Sequence, residues 1–166
     1  MRQPALIVKL TIALFGWILL FLGQLKLLGL LEPNSYLGLK NALFPFVTNA
    51  WVVLVAVAVE LGIGFFIIVT RRYVTCAWLI LWLTTGLNLY TIGLGLIAYH
   101  GPCPCLVGLT HFIPLTPRQQ NDLADFLAML MFVGSLFALC VDRIMARIRA
   151  RTAEPSQNRG QAAARR

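Results

Sequence analysis

The sequence predicts an all-α polytopic membrane protein, a four-transmembrane-helix bundle with both termini cytoplasmic. Three observations lead there. Of the 166 residues, 59% are hydrophobic and only 12% are charged, roughly half the charged share of a soluble domain. The apolar residues fall into four runs. Each is close to the ~20 residues that a helix rising ~1.5 Å per residue needs to cross a ~30 Å hydrocarbon layer. The lysines and arginines also gather in the segments that a single topology puts on one side of the bilayer. The net charge of +8 therefore reads as anchoring to anionic headgroups of the lipid bilayer, with no nucleic acid partner.

The first helix is expected at about 5–31. Arg2 precedes it, and Lys9 is near enough to its start to snorkel outward. A cleaved signal peptide is the competing reading. The apolar stretch is too long for one and no A-x-A-like site follows it, so a retained helix is expected. Gln24 and Lys26 interrupt its far end, and Glu32-Pro33-Asn34-Ser35 closes it. Residues 36–46 carry Leu37, Leu39, Leu43 and Phe44 with Lys40 and Asn41 between them. That pattern predicts a short amphipathic segment lying in the interface, broken by Pro45.

The second helix is expected at 46–70, with Trp51 near its outer end and Glu60 near its middle. The Ala58/Gly62 spacing suits close helix packing. Arg71-Arg72-Tyr73 leaves room only for a turn. The third helix is expected at 74–99. Thr84, Asn88 and Thr91 are four and three residues apart, on one face, which should point into the bundle because polar groups facing lipid are costly. Trp78 and Trp82 fall nearer the Arg71-Arg72 end, as belt residues.

A loop with Pro102, Pro104 and Pro114 precedes Thr116-Pro117-Arg118-Gln119. Thr116 suits an N-cap, Pro117 the first helical position, and Gln119 completes a capping box. The fourth helix is expected over 117–150, with Asp122 and Asp125 in its first turns where the helix dipole favours carboxylates. Residues 1–150 thus form one membrane domain. Residues 151–166 are polar and then Ala/Arg-rich, which predicts a disordered basic cytoplasmic tail.

With both termini cytoplasmic, that side receives Arg2, Arg71, Arg72, Arg143, Arg147, Arg149, Arg151 and the tail arginines. The other side receives Lys26, Lys40 and Arg118. The positive-inside rule favours this arrangement. In a bacterium the protein would sit in the inner (cytoplasmic) membrane, with the loop around residues 100–116 in the periplasm, where disulfides persist.

That loop holds Cys103-Pro104-Cys105 beside His100. Pro104 fixes its own φ and restricts Cys103, so the two thiols are confined to a narrow range of geometries. A strained, exposed bridge is readily reduced, which suits thiol–disulfide exchange. A structural bridge would explain less, since a loop this short constrains little chain entropy. Two unpaired loop thiols remain the other bland alternative. His100 can lower a thiol pKa and supply protons, or be a solvated interfacial histidine. A metal reading takes His100, Cys103, Cys105 and His111 as zinc or copper(I) ligands. The Cys-x-Cys spacing is not that of a zinc knuckle and the loop has no second cysteine pair, so no metal site is assigned; His111 reads as a loop residue.

Glu60 is an acid at mid-membrane, which should face the interior and have a partner. Lys26 is the cationic candidate at matching depth and Asn88 the neutral one. The functional reading is a proton-handling or quinone-contacting acid, and the structural one a buried polar contact between helices. Cys76 and Cys140 share a depth near the cytoplasmic helix ends. They read as small buried hydrophobes in a reducing compartment, a second redox pair being the alternative.

Four features occur in order: Gly23-Gln24-Leu25-Lys26, Phe44-Pro45, Glu60-Leu61-Gly62-Ile63-Gly64 and Cys103-Pro104-Cys105-Leu106-Val107-Gly108. Over about residues 5–145 the chain resembles the MauE/DoxX-like redox-associated membrane proteins. The turn is similar to the Cys-x-Cys-Phe-Gly type of MauE-like members, with Leu106-Val107 in place of the aromatic and one residue added before Gly108. The resemblance implies a four-helix bundle similar in shape to disulfide-generating membrane oxidoreductases. It also implies a link to periplasmic thioredoxin-like proteins and disulfide maturation. The expected activity is thiol–disulfide exchange at Cys103 and Cys105 with a thioredoxin-like protein or redox enzyme. Electrons would pass to or from a quinone between helices near Glu60 and Asn88. The alternative is a non-enzymatic assembly or metal-handling subunit for a periplasmic enzyme.

Overall fold

The computed structural model describes residues 3–31, 37–70, 72–97, 99, 113 and 116–164, the side chains of 3–5, 117 and 149–164 excepted. The chain forms four helices: α1 (Gln3–Leu31), α2 (Asn49–Val69), α3 (Tyr73–Leu96) and α4 (Pro117–Ala164). Each contains a stretch long and apolar enough to cross a membrane. Among the described residues there is no strand, only an isolated antiparallel bridge between Lys40 and Thr48. The protein is an all-α membrane bundle. Leu10, Trp17, Phe21, Val55, Phe65, Trp82, Leu89 and Phe137 all point outward, a surface suited to lipid tails. Helices satisfy their own backbone groups, so this is one of the few architectures a bilayer tolerates.

The bundle is built as two hairpins. α1 packs along α2 and α3 along α4, while the two pairs meet each other more lightly. One core cluster joins all four helices through Ile12, Phe15 and Leu19 of α1, Ile67 of α2, Cys76, Ala77 and Ile80 of α3, and Met131 and Ala138 of α4. A second, of Leu37, Val53 and Val57, lies toward the α1–α2 connection. Lys9 Nζ stands 4.9 Å from the centre of the Tyr73 ring, and these two residues line a cavity together with Asp142 and Met145. The start of α1, the start of α3 and the middle of α4 therefore share one end of the bundle. At the other end Leu43 packs against Gly93, where an added Cβ would come within 3.1 Å of the leucine.

Residues 37–48, within and just beyond the expected amphipathic segment, form a tight, hydrogen-bonded loop. Asn41 N donates to Val47 O (2.9 Å), Asn49 N to Leu39 O (2.9 Å) and Ala50 N to Leu37 O (3.0 Å). Leu37 turns inward while Leu39, Phe44 and Phe46 are exposed, so the loop still offers apolar side chains outward.

The close packing differs from that predicted. Ala58 is exposed and a Cβ on Gly62 would meet nothing within 4 Å. The glycines that admit a neighbour between α1 and α2 are Gly16, against Ile67, Gly23, against Leu61, and Gly64, against Leu20 and the Gly16 carbonyl. The expected face was offset because spacing alone does not fix which side of a helix meets its partner.

α4 begins as predicted. Gln119 N donates to Thr116 Oγ1 (3.4 Å) and Thr116 N donates back to Gln119 Oε1 (3.0 Å), a closed capping box. It then continues to Ala164, past the end expected near residue 150 and through Pro155. Most of that stretch is Ala, Arg, Gln and Glu, all strong helix formers. Cys76 is buried and Cys140 exposed, and both are free thiols. They form no bridge, and Cys140 is not the buried hydrophobe expected of it.

Candidate functional site

The seam of the bundle holds a charged pair. Glu60 lies 11 residues from Asn49 and 9 from Val69, about 16 and 14 Å from the two ends of α2 at ~1.5 Å per residue. Lys26 Nζ donates to Glu60 Oε1. Their side chains are only 4% and 2% exposed. Both charges are therefore removed from lipid and water at mid-span, where an unpaired ion is disfavoured by several kcal/mol or more.

Local sequence explains how they meet. Lys26 follows Gly23 by three residues and Gly64 follows Glu60 by four, so each charge shares a helix face with a glycine. A Cβ at Gly23 would lie 2.7 Å from Leu61 Cδ2, and one at Gly64 would lie 3.0 Å from the Gly16 carbonyl. Small residues let the α1 and α2 backbones approach. That approach brings the lysine head to the carboxylate without its having to reach across a gap.

The second carboxylate oxygen, Oε2, is buried and has no hydrogen-bond partner among the described residues. Glu60 also lines a cavity of about 30 Å³. It is lined by Leu19, Leu22 and Lys26 of α1, Glu60 of α2, Leu87 and Thr91 of α3, and Ala124, Leu127, Ala128 and Met131 of α4. The site thus draws on all four helices, with the charges on one hairpin and mostly apolar walls on the other.

The polar stripe on α3 behaves differently. Thr84 Oγ1 donates to Ile80 O (2.8 Å), Asn88 Nδ2 to Thr84 O (2.8 Å) and Thr91 Oγ1 to Asn88 O (3.0 Å). All three turn inward to some degree, yet each is satisfied by its own helix. Asn88 is therefore not a partner of Glu60, and it does not line the cavity. Thr91 does, and it was visible in the sequence only as the last member of the stripe.

A second polar cluster went unread. Asn41 is 2% exposed. Its Nδ2 donates to Asn49 Oδ1 (3.0 Å) and to the Tyr90 hydroxyl (2.8 Å). Its Oδ1 accepts from Leu43 N (3.0 Å) and Phe44 N (3.1 Å). Both amide hydrogens and both acceptor positions are used. This one side chain shapes the 37–48 loop and ties it to α2 and α3. An asparagine between leucines in a short apolar segment was the available signal.

Cys103, Cys105 and His100, with His111, lie outside the described residues. The connection that contains them leaves α3 at Leu96 and enters α4 at Pro117. α3 reaches Leu96 just after Tyr90 and Gly93 have packed on the 37–48 loop. Among the described residues no group of three or more His, Cys, Asp or Glu side chains gathers as metal ligands would. No protein-family model, curated protein or solved structure matches the chain.

Proposed function

We propose that the protein is a membrane thiol–disulfide redox protein of the bacterial inner membrane, acting through Cys103 and Cys105. The observation that carries this reading is the Cys103-Pro104-Cys105 turn between two membrane helices, with His100 close by in sequence. The proposed partner is a periplasmic thioredoxin-like protein, as the MauE/DoxX-like resemblance implies. In the oxidising direction a partner thiolate attacks the Cys103–Cys105 disulfide. A mixed disulfide forms, and the partner's second thiolate resolves it. The partner leaves as a disulfide, this chain as a dithiol, and two electrons have moved onto the turn. A membrane quinone is the proposed acceptor that returns the turn to its disulfide. Lys26 and Glu60 support this reading as scaffold: they fix α1 against α2 beneath the loops.

The test is the thiol state of periplasmic partner proteins in membranes carrying Cys103→Ser or Cys105→Ser. Accumulation of reduced partner, with a trapped mixed disulfide in one of the two variants, is the expected result. Unchanged partner oxidation in both variants would reject the redox reading. Stoichiometric metal on purified wild-type protein would then favour a metal-handling or assembly subunit.

A further inference from the structure

The ion pair accounts for only one oxygen of Glu60. The other, Oε2, is buried on a residue that is 1% exposed, and that residue lines the four-helix cavity. A carboxylate oxygen in apolar surroundings is strongly disfavoured without a donor. The polar groups around the cavity specify what donor fits. Lys26 Nζ carries three hydrogens, one of which goes to Glu60 Oε1. Thr91 Oγ1 gives its hydrogen to the Asn88 carbonyl, which leaves the hydroxyl oxygen able to accept. The complementary ligand is therefore small, donates two hydrogen bonds and accepts one. A cation would face the lysine ammonium. An anion would face the carboxylate. An apolar atom would leave Oε2 unsatisfied.

We propose that the cavity is a water-binding site. One ordered water donates to Glu60 Oε2 and to Thr91 Oγ1 and accepts from Lys26 Nζ. Three hydrogen bonds are the usual complement of a buried water, and a cavity of ~10–15 Å³ is enough to hold one. The cavity's 30 Å³ meets that requirement. Because Thr91 belongs to the α3–α4 hairpin and the charges to the α1–α2 hairpin, this water is a polar bridge across the seam. The inference is independent of whether the loop cysteines exchange electrons.

The test is magnetisation transfer from water in solid-state NMR of the full-length, isotope-labelled protein in lipid bilayers. The Glu60 carboxyl carbon is expected to receive water magnetisation, as Lys40 on the loop does, while the core residue Ile80, fully buried and away from the cavity, does not. Filling the cavity with Ala128→Leu should abolish transfer to Glu60. Thr91→Val, which removes one partner with little change in volume, should reduce it and serves if Ala128→Leu does not fold. A Glu60 signal as dry as Ile80 in the wild-type protein overturns the proposal. Transfer that is unchanged in folded Ala128→Leu, or in Thr91→Val, also overturns it.

Discussion

α2 and α3 each carry polar side chains into the bilayer, and they resolve the problem in opposite ways. Glu60 on α2 finds its partner on another helix, Lys26. Thr84, Asn88 and Thr91 on α3 bond to carbonyls of their own helix. The difference follows from charge. A hydroxyl or amide is small enough a dipole to be satisfied by a backbone carbonyl one turn away. A carboxylate is acceptor-only and needs a cationic or hydrogen-bearing group, which a helix's own carbonyls do not offer. The α2 solution therefore depends on tertiary structure and the α3 solution does not.

Substitutions can break this contrast, and the largest effect is expected at the pair. Lys26→Ala or Glu60→Ala alone strands a buried charge and should destabilise the protein by about 3–5 kcal/mol in detergent unfolding. The double replacement Lys26→Met with Glu60→Leu should recover most of that loss. If the double variant were as unstable as the singles, the pair would matter for more than mutual neutralisation. Asn41→Leu should cost about 1–3 kcal/mol, because it removes hydrogen bonds to the loop, α2 and α3 from a buried site. Its more specific sign is faster proteolysis within residues 37–48. Gly23→Ala forces Leu61 aside and should cost about 1–3 kcal/mol; Lys26→Met with Glu60→Leu present should shrink that cost if the glycine serves mainly to seat the pair. Thr84→Val should change stability least, by about 0.6 kcal/mol. A loss at Thr84 as large as at Glu60 would erase the distinction between the two helices.

Much of this was legible beforehand, for reasons that the same contrast explains. The four spans follow from hydropathy, which is additive along the chain. The capping box at Thr116 and Gln119 is local and appears as spelled. Lys26 was readable as Glu60's partner because depth in a bilayer is a coordinate that sequence position supplies. What was not legible is what depends on rotation about a helix axis or on contacts distant in sequence. Asn88 sits at a suitable depth, but nothing in the spacing shows that it turns back to the Thr84 carbonyl. Gly62 and Gly64 are equally good small residues on paper. Only the position of α1 selects Gly64 and leaves Gly62 against open space. The shape of the 37–48 loop is not written in its amphipathic pattern, because it depends on Asn41 reaching Tyr90, 49 residues away.

The confinement of both charges to the first hairpin bears on how the chain is made. Lys26 and Glu60 lie 34 residues apart, on two helices that are synthesised before α3 and α4. They can neutralise each other as soon as α2 has entered the bilayer, before α3 and α4 have been synthesised. Had the lysine or the glutamate been on α4 instead, one bare ion would have waited in hydrocarbon for the rest of the chain. Placing the pair within one hairpin lets insertion proceed two helices at a time, each pair electrically complete on arrival.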